Sequence, residues 1–416
     1  ESEFRRLAEL YGFREVVTPI IEHTELFVKS TGTSSDIVTK EMYTFQDRSG
    51  RSLTLRPEGT PGAVRAVLEN RVRVPCRLYY IGPMFRYSRP QKGRYREFYQ
   101  LGVESLGEAR PEVDAEIIAL GFEFLAGLGI SNCRPEINSI GCRECRPAYH
   151  ERLKEYLQDR TEQFCADCRI RYQQNPLRVF DCKMAACQEL LSSAPRSLDH
   201  LCSACAEHFA GVQNGLSRRG VPSTTNDRLV RGLDYYSRTA FEYSLESGRA
   251  QDSLGGGGRY DYLVEDVGGP SLPAIGFALG EERILLALGE PGGPEARLCW
   301  VVPLGPGEFE AGVKLLTELR SAGIAARMDF DRCKPKQQLH SAASAGAQFA
   351  LILGPDELAH DTVSVKNLKT GVQQEVPRAA LAAFLGEPGA WPRETRNWIR
   401  NSGPTGAEPR GPFLKS

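Results

Sequence analysis

Five cations fall within the eleven residues Arg86 to Arg96: Arg86, Arg89, Lys92, Arg94 and Arg96. An aromatic, β-rich run from Leu78 to Phe85 leads into them, and a second extended run from Glu97 to Val103 follows. So many charges cannot be buried without partners, so the loop between the two runs must face solvent. Two strands that fix Arg86 at the base of a mobile basic loop suit the capture of a polyanion such as a phosphate chain. The plainer reading is an exposed basic hairpin with no ligand.

The cysteines form a second constellation. Eight of the twelve lie between Cys142 and Cys205, and six of these form the pairs Cys142-x-x-Cys145, Cys165-x-x-Cys168 and Cys202-x-x-Cys205. With Cys182 and Cys187 they supply the ligands of two tetrahedral zinc sites of four thiolates each, although the spacing leaves the pairing open. Unligated thiols are the alternative. No histidine flanks the pairs as an open-site ligand would, so the expected role is structural rather than catalytic.

Other candidates are polar residues on regular elements. Glu58 and Thr60, in Leu55-Arg56-Pro57-Glu58-Gly59-Thr60, stand at a helix start. They fit either a dipole partner and cap or a grip on an ammonium group. Even spacing along an extended run puts Gln100 and Glu104 on one face, as two solvated side chains or as a wall for a zwitterion bearing a polar ring. The octapeptide Leu229-Val230-Arg231-Gly232-Leu233-Asp234-Tyr235-Tyr236 reads as a packed aromatic turn or as a pocket with one cation. Gly255-Gly256-Gly257-Gly258-Arg259-Tyr260-Asp261 suits backbone that must come close to a ligand. In Gly276-Phe277-Ala278-Leu279-Gly280-Glu281-Glu282-Arg283, a small-residue strand runs into a helix carrying Arg283.

Phe85-Arg86, followed by Arg89-Pro90-Gln91-Lys92-Gly93-Arg94-Tyr95-Arg96-Glu97-Phe98, resembles motif 2 of class II aminoacyl-tRNA synthetases in its histidyl-tRNA synthetase form. The octapeptide at 229–236 resembles the histidine-specific motif of that family, and 276–283 resembles motif 3, departing at Glu281, where the family usually has an apolar residue. The likeness extends over about residues 1–385. It implies ATP and L-histidine as substrates, Mg²⁺ as cofactor and a histidine-specific tRNA as partner. Arg86, Arg231 and Arg283 would then handle phosphate charge, with Arg86 and Arg283 on the ATP. Glu58, Thr60, Gln100, Glu104, Arg231, Tyr235 and Tyr236 would hold histidine, Glu104 pairing an imidazole nitrogen. Arg89 and Gln91 would reach the acceptor end of the tRNA. A synthetase-like regulatory subunit of histidine biosynthesis (ATP phosphoribosyltransferase regulatory type) shares the catalytic fold. It typically lacks the C-terminal α/β domain.

The elements that must position these residues follow from pattern and punctuation. Residues 2–11 read as the end of an amphipathic helix stopped by Gly12. Arg14 to Ile21 reads as one strand whose Pro19 confines it to an edge or interface, and the family's proline-bearing motif 1 implies a homodimer there. A hairpin is expected from 42–46 and 52–55, with helices over 60–70 and 111–128. Strands are expected to resume at Leu229 and run through 240–245 and 255–258 into a helix from about Phe277 to Leu288.

The breaker cluster Gly289 to Pro294 then separates a stretch of alternating strands and helices, expected as a largely parallel sheet. The expected architecture is an α+β catalytic domain, an antiparallel sheet flanked by helices and class II synthetase-like, over 1–288. A Cys-rich insertion at 141–209 interrupts it. A linker at 289–295, a C-terminal α/β anticodon-binding domain at 296–385 and a disordered tail at 386–416 complete the chain.

Composition bounds the classes. A chain of 416 residues, 41% hydrophobic and 25% charged, is an ordinary globular protein with room for two or three cores. A net charge of −1 means that nucleic acid must be bound through local patches. No apolar run of membrane-spanning length and no signal sequence is visible, and thiol usage points to the cytoplasm. The chain begins Glu1-Ser2-Glu3-Phe4 without Met, as a fragment or processed chain would.

Overall fold

The computed structural model describes residues 1–416 except 33–34, 36, 247–252, 290–297, 332–333 and 387–416. Two compact units divide the chain, 1–291 and 292–416. The first is built on an eight-stranded sheet. From edge to edge its strands are Arg14–Glu15, Cys76–Phe85, Glu97–Leu106, Ala274–Gly280, Ser253–Arg259, Ser237–Leu245, Cys133–Ser139 and Thr224–Thr225. The six inner strands run antiparallel, and each two-residue edge strand pairs parallel.

The helix Pro111–Gly127 opens with proline in its first turn and Glu112 and Asp114 at its positive end. It is apolar on most sides because it lies between the sheet and the helix Ser203–Arg218, with Ile117, Ile118, Leu120 and Leu125 fully buried. Each such side chain contributes about 2 kcal/mol of burial. Asp114 is also fully buried, and there it accepts from His208 Nε2 at 2.8 Å, Thr239 Oγ1 at 2.6 Å and Arg259 Nε at 3.1 Å. An ion pair this deep holds only with every donor in place. It pins the end of the glycine strand to the helix behind it.

Three expected elements differ. Arg14 to Ile21 is not one strand. Arg14–Glu15 joins the large sheet, and the chain pairs again only at Ile21–His23, in a separate three-stranded sheet with Ser52–Leu55 and Thr44–Gln46. Pro19, which has no N–H to give a ladder, lies in the crossing between them. Leu229 to Tyr236 is irregular, and the strand begins at Ser237. Phe277 belongs to the strand Ala274–Gly280, and the helix starts at Glu281. Gly276, Phe277 and Ala278 pair with Glu104, Val103 and Gly102 in the ladder, and Gly276 leaves room for the neighbouring strand.

The Cys-rich segment carries the helices Arg146–Gln158, Ala166–Gln174 and Ala185–Leu190 around their own core of Leu153, Leu157, Phe164 and Val179. The helix Ser203–Arg218 starts in this segment, but its Phe209, Val212 and Leu216 join the main core.

In the second unit, Ala326–Met328, Cys299–Pro303 and Phe349–Leu353 run parallel, while Thr362–Asn367 and Gln373–Pro377 add antiparallel strands. The sheet is therefore mixed rather than largely parallel, because its last connections are too short for a crossover. The expected linker, apart from Gly289, and the expected disordered tail beyond Gly386 lie outside the described residues.

A Cβ on Gly257 would stand 1.9 Å from the Gly276 carbonyl oxygen and 2.6 Å from the Phe277 Cα, both backbone atoms that the ladder holds. Gly257→Ala is therefore expected to lower the unfolding free energy by about 3 kcal/mol, as read by urea denaturation. A change under ~0.5 kcal/mol would contradict this packing.

Candidate active site

A cavity of about 380 Å³ opens over the middle of the large sheet. Its floor is the sheet itself, where strands 97–106, 274–280 and 253–259 lie side by side. The hairpin of strands Cys76–Phe85 and Glu97–Leu106 brings Arg86 to its rim, where Nε donates to the Pro57 carbonyl at 2.8 Å and the guanidinium lies 5.3 Å from the Phe98 ring. The basic loop beyond is pinned by Arg94, which donates to Glu41 at 3.0 Å, and by Arg96, which lies 4.1 Å from the Tyr87 ring. Arg94 lines the cavity; Arg89 and Gln91 are exposed on the loop and do not.

Two buried carboxyl groups belong to the site, one lining the cavity and one beneath it. Glu58 is buried at the start of the helix Thr60–Glu69, accepting from Thr31 Oγ1 and from the Tyr235 hydroxyl, each at 3.1 Å. Burial pushes its pKa up, against the pull of nearby Arg86 and the two hydroxyls.

Glu104 is fully buried beneath the cavity rather than on its wall. It accepts from Thr60 Oγ1 at 2.6 Å, the Tyr80 hydroxyl at 3.2 Å and the Tyr260 hydroxyl at 2.5 Å. Thr60 thus spends its hydroxyl proton on Glu104, while its residue also lines the cavity. Gly276 stands opposite Glu104 in the ladder, where a Cβ would lie 1.8 Å from the carboxylate. Sequence reasoning missed Thr31, Tyr80, Tyr260 and Gly276. The only trace of their role is a tyrosine in the aromatic run, another behind the glycine run, and a glycine facing an acid.

Gln100 lines the cavity, and its buried Oε1 has no hydrogen-bond partner. A buried polar atom left unmatched this way fits a ligand contact.

The octapeptide wraps the far side. Tyr235 and Tyr236 pack with ring centroids 4.7 Å apart. Arg231 donates through Nη1 to Glu242 at 2.6 Å, while its buried Nε has no hydrogen-bond partner. Burial opposes its charge, but Glu242 holds its pKa above the usual value. Arg283 donates to the Ser253 carbonyl at 2.7 Å, and burial, reinforced by Arg94, Arg86 and Arg231, lowers its pKa against the pull of Glu242. Cations crowded enough to oppose one another's charge make a strong anion site. The structure thus brings Glu58, Thr60, Arg86, Gln100, Arg231, Tyr235, Tyr236 and Arg283 to one cavity, with Glu104 directly beneath.

The cysteines resolve into two groups, Cys142, Cys145, Cys202 and Cys205, and Cys165, Cys168, Cys182 and Cys187, each with its sulfurs within 4.8 Å of one another. A zinc–thiolate bond of about 2.3 Å puts the sulfurs of a tetrahedral site about 3.8 Å apart. The Sγ separations are 3.7 Å for Cys142–Cys145, 3.9 Å for Cys142–Cys202, 3.8 Å for Cys145–Cys205 and 3.8 Å for Cys165–Cys182. The donor sets therefore fit zinc.

A family model described as histidyl-tRNA synthetase matches residues 1–284. The chain belongs to the histidyl-tRNA synthetase family. A second model, for an anticodon binding domain, matches residues 299–387. The histidine–tRNA ligase of Moorella thermoacetica is 49% identical over 391 residues, covering 92% of each chain. That of Pelotomaculum thermopropionicum is 49% identical over 397 residues, covering 93% of each. The crystal structure of apo S. aureus histidyl-tRNA synthetase superposes with a TM-score of 0.73 at 36% identity, over 93% of this chain and 94% of the other.

In this member of the family the Glu104 carboxyl has a pKa of about 7, because burial disfavours its charge more than Thr60, Tyr260 and Tyr80 favour it, with Glu58 opposing it further. An acid raised in the folded state costs nothing while both states are protonated, below its ordinary value of 4.5. The penalty grows as pH rises through that value and is complete above about 7, reaching roughly 3 kcal/mol. Glu104→Gln is expected to remove this share of the decline in stability between those pH values, measured by urea denaturation at a series of pH values. A decline as steep in the variant would contradict a raised Glu104 pKa.

Proposed function

We propose that the chain is a histidine–tRNA ligase that works in two steps at this cavity. A carboxylate oxygen of histidine attacks the α-phosphorus of ATP, the bond to the bridging oxygen breaks, and histidyl-adenylate and pyrophosphate form. A ribose hydroxyl at the 3′ end of the tRNA then attacks the adenylate carbonyl, forming the ester and releasing AMP, with the hydroxyl proton passing to the departing phosphate or to solvent. The observation that carries this reading is one cavity with Arg86, Arg231 and Arg283 above a floor of buried carboxylates. The first step needs no protein base, since the attacking carboxylate is already ionised at neutral pH.

Glu58, Thr60 and Gln100 hold the zwitterionic end of histidine; Tyr235, Tyr236 and Glu104 set the place of its ring. The Arg231 Nε, buried without a partner, is available for the α-phosphate, where charge grows in the transition state. Arg86 and Arg283 take the rest of the triphosphate, and bound Mg²⁺ would neutralise phosphate charge as pyrophosphate leaves. Arg89 and Gln91, exposed on the loop, meet the tRNA acceptor end, and the unit after the linker reads the anticodon.

Exposed Val17, Ile20 and Ile21 beside Pro19 make an apolar face suited to a homodimer contact, with Val17 85% exposed. No described helix is long and apolar enough to cross a membrane, and described cysteines outside disulfides accord with a cytoplasmic setting. Each cysteine group holds one structural Zn²⁺.

Purified protein with ATP, Mg²⁺ and histidine is expected to charge the histidine-accepting tRNA, measured as acid-precipitable labelled histidine; failure to charge any tRNA would overturn the reading. Arg231→Ala should slow adenylate formation about 100-fold or more in single-turnover assays, and an undiminished rate would remove Arg231 from the phosphate. Metal analysis should find two zinc ions per chain, one for each group. Stripping them should lower the thermal midpoint; metal-free protein of unchanged midpoint would rule out structural zinc.

A further inference from the structure

The octapeptide 229–236 forms neither strand nor helix, so no backbone ladder fixes where its tyrosines point. Side-chain ties set it instead. At its start Asn138 Nδ2 donates to the Leu229 carbonyl at 2.9 Å, and at its end the Arg146 guanidinium donates to the Tyr236 carbonyl at 2.5 Å. Between these flanks Arg231 is tied to Glu242, and the turn at Asp234 is reached from the Cys-rich segment, where Asn175 Nδ2 donates to Asp234 Oδ1 at 3.0 Å. Asn175 has no part in the two-step reaction as proposed and does not line the cavity.

Asp234 stands where the two hydroxyl donors to Glu58 come together. Tyr235, the next residue, donates to Glu58 Oε2, and Thr31 donates to Glu58 Oε1, each at 3.1 Å. Thr31 meets Asp234 as well. Its carbonyl accepts from the Asp234 amide at 3.5 Å, and a Cβ on the following residue, Gly32, would lie 2.5 Å from Asp234 Oδ2. One Asp234 oxygen therefore rests against the chain that carries Thr31, and the other accepts from Asn175. Asn175 is itself firmly placed. It separates the helix Ala166–Gln174, which carries Cys168, from the short 3₁₀ turn Pro176–Asp181, and Cys182 follows that turn; both cysteines belong to one group of four. Its Oδ1 accepts from the Leu177 amide at 3.2 Å, which caps the turn and leaves Nδ2 for Asp234. Val179 of the turn is fully buried in the segment's core, against which Val230 of the octapeptide packs.

We propose that Asn175 is a positioning residue for the amino-acid substrate. From outside the cavity it sets the octapeptide turn through Asp234, so that Tyr235 and Thr31 together hold Glu58 in the orientation that receives the substrate ammonium. A hydrogen bond weakens steeply once its donor is misaligned, so a turn released at Asp234 loosens the Tyr235 grip on Glu58. This rests on the reading of Glu58 and Tyr235 as histidine-binding residues. Arg86 and Arg283 take their anchors from the Pro57 and Ser253 carbonyls, so nucleotide binding is spared. The Cys-rich segment then shapes the amino-acid pocket as well as folding around its own core.

The test compares two replacements of Asn175 in the full chain by pyrophosphate–ATP exchange. Asn175→Ser keeps a hydroxyl that caps the turn and loses the donor to Asp234, whereas Asn175→Ala loses both. Asn175→Ser is expected to raise the KM for histidine about tenfold, while the KM for ATP, the maximal rate and the thermal midpoint stay as in wild type. A serine variant that matches wild type, beside an alanine variant of lowered midpoint and unchanged KM, would mark a purely structural cap and overturn the proposal. Calorimetric titration with histidine then checks the route. In a Tyr235→Phe background, which already lacks the hydroxyl on Glu58, Asn175→Ser should weaken histidine binding by about twofold or less; a loss as large as in wild type would overturn the coupling through Tyr235. Wild-type protein that binds no histidine would refute the reading of the pocket itself, and the role of Asn175 with it.

Discussion

Everything at this site depends on burying two carboxyl groups, Glu58 at the wall of one cavity and Glu104 directly beneath it. Among the described residues neither has a salt-bridging cation; hydroxyls from Thr31, Thr60, Tyr80, Tyr235 and Tyr260 solvate them instead. Each hydroxyl comes from a different part of the chain, so the floor exists only once the sheet, the helix at Thr60 and the octapeptide have assembled. Gly276 exists to make room for it, since any side chain there would occupy the space of the Glu104 carboxylate. A floor of acids pushed toward neutrality and a wall of arginines pushed together make a strongly polarised pocket. Such a pocket discriminates by leaving polar atoms unmatched when the wrong ligand enters.

The arginines above are placed with similar economy. Arg86 is fixed by a carbonyl and a ring, Arg283 by a carbonyl and Arg231 by Glu242, so each is oriented before any ligand arrives. Preorganised charge of this kind needs no rearrangement as the transition state forms. The buried Asp114–Arg259 pair serves the same end from behind, by fixing the glycine strand that forms part of the cavity floor.

Much of this was legible in the sequence because local rules and global fold agree. The aromatic, β-rich run and the extended run after it became the strands at 76–85 and 97–106, the cation-rich loop lay between them, and the three arginines met at one cavity. The strand expected through Pro19 failed because the chain there changes sheets, which no local pattern records. The helix expected from Phe277 failed because residues 274–280 pair along the strand 97–106, with Gly276 making room for Glu104. Thr31, Tyr80 and Tyr260 stayed hidden because their work depends on contacts with Glu58 and Glu104, 24 to 156 residues away in sequence. The cysteine spacing pointed to groups of thiols that could hold a metal, but the pairing is a matter of three-dimensional structure: the first group ties the start of the Cys-rich segment to the helix that leaves it.

The measurement that most directly tests the central claim, a pocket that activates histidine, is pyrophosphate–ATP exchange on the purified chain. It should be run with each amino acid in turn and without tRNA. The account predicts exchange that depends on histidine alone. Exchange driven by another amino acid, or none with any of them from folded protein, would contradict it.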